Sequence, residues 1–146
     1  MTITPLTADE AALNNFTHKI ALTYADIILL TSGTAASIFP GYMEANTFPA
    51  GCYITDAMAV VKTAFTGGTG TLTFGVTDTS ANAILAPGTT MTVAGTMAAY
   101  NLTKPVTYAT AQQLLLTVTA GTSILGWTAG ELDIYVMFID VNILNR

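Results

Sequence analysis

Apolar and polar side chains alternate with a period of two over much of this chain, as in β-strands with one buried face. One such segment lies near the C-terminal end. One of its faces carries Leu132, Ile134, Val136 and Phe138, and the other carries Tyr135, Met137, Ile139 and Val141. Because both faces are apolar, both need to be covered. We therefore predict an inner strand of a β-sandwich, or a strand whose outer face meets another subunit.

The same alternation predicts further strands, separated by segments rich in Gly, Pro, Thr and Ser. These strands are expected at residues 16–24, 35–39, 52–65, 71–77, 83–85 and 107–120. The segment 52–65 is longer than the usual strand, so we expect a bend or bulge in it. Gly67–Gly70 and Pro87-Gly88 are predicted to be turns. Thr and β-branched residues dominate the apolar segments, and no helix is predicted in the body of the chain.

Strands without crossover helices favour antiparallel connections. We therefore predict an all-β fold, an antiparallel β-sandwich of jelly-roll or Greek-key type with seven to nine strands. Residues 15–146 are expected to form this single domain. Residues 1–14 are interpreted as an N-terminal arm in which Thr7 could cap one helical turn at 7–13. The arm either reaches over a neighbouring subunit or is a frayed terminus.

Charged residues make up 9% of the chain and hydrophobic residues 51%, whereas an average domain is about 25% charged. A surface so poor in charge is weakly protected against self-association. We therefore expect a homo-oligomer; the alternative is a Thr-rich soluble monomer. The formal charge is −5, with only four cations, Lys19, Lys62, Lys104 and Arg146. This balance argues against direct binding to nucleic acid or to an anionic membrane.

Neither a membrane span nor a secretory signal is predicted. No apolar run approaches the roughly 18 residues of a spanning helix. The first residues carry Asp9 and Glu10 but no basic segment followed by an apolar one. Cys52 is the only cysteine, so no internal disulfide is expected.

The residues that could support catalysis do not form a recognisable set. His18 is the only histidine and lies on the apolar face of the first predicted strand, where a core or interface role is expected. A general base would also need a nucleophile and an orienting group. Cys52 is predicted to pack as a small apolar residue, since little positive charge is available to activate a thiolate. We therefore predict that the chain is not an enzyme.

Metal and cofactor sites are not predicted either. The acidic residues considered as metal ligands are Asp26, Asp56, Asp78, Glu131, Asp133 and Asp140. They do not form the Asp-rich loop of a calcium site. With one His and one Cys, zinc is disfavoured. Gly67-Gly68-Thr69-Gly70 lacks the Lys and the helix of a phosphate-binding loop.

Five segments, in this order along the chain, resemble a known family: Leu22–Ile27, Pro49–Gly51, Val61–Gly68, Leu72–Thr79 and Thr128–Val136. The family comprises the small β-sandwich virion proteins of tailed bacteriophages, which serve as capsid decoration or auxiliary head proteins. The resemblance implies a protein that binds the outside of an assembled head and stabilises it. The implied partners are the major capsid protein or other virion subunits. The implied location is the virion, after synthesis in the host cytoplasm.

The assembly contacts are expected on apolar residues of the last strand and of uncharged loops, namely Tyr135, Met137, Ile139, Tyr42, Phe48, Met97 and Tyr100. The arm and the loops at 41–51 and 86–105 are the expected contact elements. The alternative hypothesis is a carbohydrate- or ligand-binding module of a head or tail. Its stacking surfaces would come from Tyr42, Tyr53, Tyr100, Tyr108 and Trp127.

Overall fold

The structure, a computed structural model, describes residues 2–5, 18–30, 35–38, 50–78, 82–101, 106–110, 114–121 and 123–140. These residues form ten strands, one α-helix and one 3-10 turn. The first half contains β1 (Thr2–Pro5), β2 (His18–Thr23), α1 (Tyr24–Leu30), β3 (Ala35–Ile38), β4 (Cys52–Thr66) and β5 (Leu72–Asp78). The second half contains β6 (Ala83–Thr90), β7 (Met97–Ala99), β8 (Val106–Thr107), β9 (Leu114–Ala120), the 3-10 turn Ile124–Gly126 and β10 (Ala129–Asp140).

The strands pair as nested antiparallel partners. β2 pairs with β10, β3 with β9, β4 with β7, and β5 with β6. The chain therefore resembles one long hairpin whose tip is the β5–β6 connection. Rolling this hairpin places β10 beside β4 and β9 beside β5. The result is a jelly roll, so the predicted all-β sandwich is confirmed.

Two sheets make up the sandwich. The six-stranded sheet has the order β1-β2-β10-β4-β7, with β8 also on β4, and the four-stranded sheet has the order β3-β9-β5-β6. Eight strands have four or more residues, in agreement with the predicted seven to nine, and the short β7 and β8 are additional. β1 lies within the predicted N-terminal arm and pairs with β2 of the same chain. The predicted helical turn at 7–13 lies outside the described residues.

The core lies between the two sheets and is built from alternate side chains. Leu132, Ile134 and Val136 of β10 are fully buried, as predicted from their alternation. The smaller sheet contributes the buried side chains Leu72, Phe74, Val76, Leu114, Leu116 and Val118. Each fully buried side chain of this size stabilises the fold by about 1.5–3 kcal/mol relative to an exposed one.

The long strand β4 contains the expected irregularities. In its pairing with β10, Met137 opposes Asp56 while Phe138 opposes Ile54, so Thr55 is an extra residue. A second shift leaves Lys62 between the pairs Leu132–Val61 and Glu131–Thr63. The bulge at Thr55 changes the phase of the strand by one residue. Strict alternation along 52–65 predicts Cys52 and Ile54 on the face opposite to Ala57, Ala59 and Val61, and this prediction is wrong, since all five are buried.

The sequence prediction missed the helix α1. Its start is stabilised by Asp26, whose Oδ2 accepts hydrogen bonds from the Thr23 backbone N–H (2.9 Å) and the Thr23 hydroxyl (2.8 Å). Thr23 to Asp26 thus forms the carboxylate half of a capping box. Ile27 is fully buried, which fixes the helix on the sandwich. The Thr-x-x-Asp spacing was the available signal.

Several element boundaries also differ from the prediction. Pro87-Gly88, predicted to be a turn, lies inside β6, which continues to Thr90. The predicted strand 107–120 is divided, because residues 108–110 are not in a strand and β9 begins at Leu114. The loop predicted at 86–105 contains the last part of β6 and the short strand β7.

Gly75 allows β5 and β6 to approach each other where their register shifts. Phe74 opposes Thr89 and Val76 opposes Leu85, so three residues of β6 lie opposite Gly75 alone. A Cβ at Gly75 would lie 2.7 Å from the Pro87 Cα. Since this neighbour is backbone, the contact cannot be relieved by rotating a side chain.

We expect Gly75→Ala to lower the free energy of unfolding by about 1–3 kcal/mol, through overpacking against Pro87. Gly126→Ala is the matched control, because its Cβ would meet the Gly68 Cα at an ordinary van der Waals distance of 3.5 Å. Urea unfolding followed by far-ultraviolet circular dichroism measures both variants. Equal midpoints for the two would contradict the tight β5–β6 approach.

Candidate functional site

The side of the six-stranded sheet that faces away from the core is here called the outer face. It is lined by side chains of β2, β4, β7 and β10 that alternate with the buried ones. Its members are Lys19, Ala21, Asp56, Met58, Val60, Lys62, Met97, Ala99, Glu131, Asp133, Tyr135, Met137 and Ile139. Most are half-buried, and the larger ones are predominantly apolar. This face is the candidate functional surface.

Asp133 is the centre of a polar cluster on the outer face. Its side chain is only 5% exposed, and its Oδ2 lies 3.0 Å from the Lys19 Nζ. The Tyr135 hydroxyl donates a hydrogen bond of 3.4 Å to the same oxygen. The Lys19 Nζ also lies 5.8 Å from the centroid of the Tyr135 ring. A carboxylate buried this far is costly unless it is paired, so the cluster stabilises its charge.

Lys62 connects this cluster to a more exposed carboxylate. Its Nζ lies 3.9 Å from the Asp133 Oδ2 and 3.8 Å from the Glu131 Oε2. The Lys62 and Glu131 side chains are 52% and 49% exposed. Thr63 Oγ1 donates a 3.5 Å hydrogen bond to the same Glu131 oxygen. Exposed pairs of this kind contribute about 0–1 kcal/mol, so Lys62 and Glu131 can change partners at little cost.

Two shallow depressions lie beside the β4 side chains of the outer face. One, of about 290 Å³, is lined by Lys19, Met58, Val60, Lys62, Asp133 and Tyr135. The other, of about 330 Å³, lies between β4 and β7 and includes Met58, Met97 and Tyr100 in its lining. Met58 lines both and separates them. The face is therefore a series of apolar ridges and shallow grooves.

The predicted contact residues are distributed unevenly over this structure. Tyr135, Met137 and Ile139 lie half-buried on β10. Met97 is 60% exposed and pairs with Val60 in the sheet. The half-buried Tyr100 donates a 3.0 Å hydrogen bond from its hydroxyl to the Ile54 carbonyl. Tyr42 and Phe48 lie outside the described residues.

The aromatic residues considered for ligand stacking do not form one surface. Trp127 and Tyr108 are both buried. A Cβ at Gly68 would lie 2.4 Å from the Trp127 ring, so the Gly68 backbone covers that ring closely. Burial, together with the negative charge of Asp78, raises the pKa of the Tyr108 hydroxyl. Tyr53 on β4 and Tyr100, directly after β7, are half-buried, and Tyr42 lies outside the described residues.

The residues considered for catalysis and metal binding are dispersed. Cys52 is buried and free of disulfide, while His18 is half-buried at the start of β2. Within the described ranges, no group of three His, Cys, Asp or Glu side chains is placed to hold a metal ion. The buried Asp78 accepts hydrogen bonds of 2.8 and 2.7 Å from the backbone and side-chain nitrogens of Asn82. This arrangement fixes the local chain.

No helix in the described part of the chain is long and apolar enough to cross a membrane.

Glu131 and Asp133 alternate along the last predicted strand and so share one of its faces, but the sequence pattern did not identify their lysine partners. Lys19 precedes Asp133 by more than one hundred residues, and only the β2–β10 register brings the two together. The available signal was that the two predicted strands, now β2 and β10, each carry a charged residue among mainly apolar ones.

Comparison of the chain with models of protein families, with curated proteins and with solved structures gives no match.

We expect Asp133→Asn to lower the free energy of unfolding by about 1–3 kcal/mol, because Lys19 loses its close partner in a partly desolvated site. Glu131→Gln is the matched control and should change stability by no more than about 0.5 kcal/mol, since its pair is exposed. Urea unfolding at neutral pH measures both. A cost for Glu131→Gln equal to that for Asp133→Asn would refute the central role of Asp133.

Burial lowers the pKa of His18 below its ordinary value of 6.5. The folded state therefore binds a proton less readily than the unfolded chain. The neutral His18 therefore contributes to the free energy of unfolding. This contribution is fully present above pH 6.5 and is lost as the pH falls through the folded-state pKa. As the pH falls from about 7.5 to about 5.5, we expect the free energy of unfolding to decrease less in His18→Gln than in the parent chain. Urea midpoints across that window test this, and identical pH profiles would contradict it.

Proposed function

We propose that this chain is a structural virion protein, an auxiliary subunit that occupies an assembled phage head in many copies and stabilises it. Its outer face serves as an assembly contact surface. The observation that carries the proposal is the apolar character of that face. Tyr135, Met137 and Ile139 are half-buried there, and Met97 is 60% exposed.

An apolar sheet face of this kind is typical of contact surfaces. β10 has its core side chains on one side and large apolar side chains on the other. Contiguous apolar surface on a protein generally marks an interaction site or an aggregation hazard. Covering the outer face in an assembly would remove that surface from water, and each square ångström removed stabilises the complex by about 25 cal/mol before the costs of association.

The charges on the outer face are compatible with burial in a contact. Asp133 already lies 3.0 Å from Lys19. Because its charge is desolvated in the isolated chain, a partner adds little further desolvation cost at this position. The exposed Lys62 and Glu131 lie at one end of the face, where a polar rim is usual for an interface.

Two further considerations support this function. The five segments that resemble phage decoration proteins include most of β10, the last part of β4 and all of β5, which contribute to the core and the outer face. The jelly roll also recurs in viral capsid domains, although it occurs in lectins and other proteins too. This second point is an analogy at the level of the fold.

We expect the purified chain to bind saturably to phage heads assembled without its gene product. Met97→Glu should reduce occupancy at least several-fold, because it places a charge on the apolar face. Leu125→Glu is the matched control, since Leu125 is similarly exposed (57%) but lies on the 3-10 turn. Co-sedimentation with the heads measures occupancy. Failure of the parent chain to bind the heads, or equal occupancy for the two variants, would overturn the proposal.

A further inference from the structure

We propose that the outer face binds the outer face of a second copy of this chain across a two-fold axis. The inference rests on the proposed function for the choice of the outer face as a contact surface, and it names the partner. A two-fold contact requires a surface that is complementary to itself in charge and in shape. The outer face meets both requirements.

The outer face carries charges of both signs within a small area, and the exposed Asp56, opposite Met137, is a further carboxylate on it. Lys19 and Lys62 lie beside Asp133 and Glu131, at distances of 3.0 to 3.9 Å. These are the two lysines in the described part of the chain, whose formal charge over its full length is −5. A surface that carries both lysines and carboxylates can offer each sign of charge to a second copy of itself.

The exposed ion pair offers a way for two copies to recognise each other. Lys62 and Glu131 are about half exposed and 3.8 Å apart. Across a two-fold axis, Lys62 of one copy can approach Glu131 of the second copy, and the reverse contact forms by symmetry. The exchange breaks only a weak surface pair on each side, and it fixes the orientation of the two faces.

The shape of the outer face is also complementary to that of a second copy. Met97 projects from β7, and Met58 separates two grooves of about 290 and 330 Å³. Either groove is large enough to receive a methionine side chain. Met97 of each copy can therefore enter a groove of the other. Methionine suits such a contact because its flexible side chain adapts to irregular gaps.

The size of the face predicts the strength of this contact. Four strands spaced about 4.8 Å apart and about six residues long cover roughly 400 Å². A standard stable interface buries about 800 Å² on each partner. The isolated dimer should therefore be weak, with a dissociation constant in the micromolar range or above, and should be favoured where copies are concentrated on a common surface.

Charge complementation between two variants tests the contact directly. Lys62→Glu has two carboxylates at the exposed pair, and Glu131→Lys has two ammonium groups. Each variant alone should remain monomeric at concentrations where the parent dimerises, because like charges face each other across the axis. An equimolar mixture should recover a heterodimer. Sedimentation velocity from micromolar to near-millimolar concentration measures all three samples.

Met97→Glu should abolish the dimer of the parent chain, whereas Leu125→Glu should leave it unchanged. Far-ultraviolet circular dichroism controls for folding, and both substituted side chains are exposed in the monomer. A parent chain that stays monomeric throughout the concentration range would overturn the inference. A mixture that does not recover the heterodimer, or equal effects of Met97→Glu and Leu125→Glu, would do the same.

The experiment separates this inference from the proposed function. A monomeric parent chain that binds phage heads, with loss of binding for Met97→Glu, would refute the second copy as partner and retain the virion role. A dimer that shows charge complementation but binds no heads would retain the inference and refute the virion role.

Discussion

The fold depends on the pairing of β10 with both β2 and β4. This strand lies between them in the six-stranded sheet and joins the last part of the chain to one of its first strands. Its side chains Leu132, Ile134 and Val136 are fully buried. Without β10 the sheet would divide into two parts, and the outermost pair of the nested hairpin would be lost. The closure of the jelly roll and much of its core thus depend on one ladder.

The register of β10 is fixed because its core face must be apolar and its outer face must hold the charge of Asp133. A slip of one residue would turn Asp133 into the core and Ile134 out to the surface. Burying an unpaired carboxylate in an apolar core costs several kcal/mol. In the observed register, Asp133 instead meets Lys19 at 3.0 Å. The ion pair is therefore better understood as a determinant of register than as a large net source of stability.

The same register shapes the outer face. It aligns Tyr135 with Lys19 and with Met58, and Asp133 with Ala21 and with Val60. Apolar rows and a neutral charge cluster therefore lie side by side on one surface. The link between core and contact surface is direct, because alternate residues of the same strands supply both. Changes that shift β10 would consequently alter assembly as well as stability.

The strands and their buried faces were largely predictable because period-two alternation is a local property. Leu72, Phe74 and Val76 illustrate this, since they are the alternate apolar residues of the predicted strand 71–77 and all three are buried. The alternation failed in β4, because the bulge at Thr55 arises from pairing with β10 and reverses the faces of Cys52 and Ile54. α1 was missed because its apolar segment is short, although Thr23 and Asp26 carried a capping signal.

The sequence by itself determined the all-β class, the location of most strands and an apolar second side of the last strand. These follow from side-chain type and spacing, which act over a few residues. Only the tertiary structure decided the nested pairing, the meeting of Lys19 with Asp133 and the grooves around Met58. Each depends on contacts between segments far apart in the chain. Such contacts are selected by the packing of the whole sandwich, because a local pattern specifies which face is buried but not which strand lies beside it.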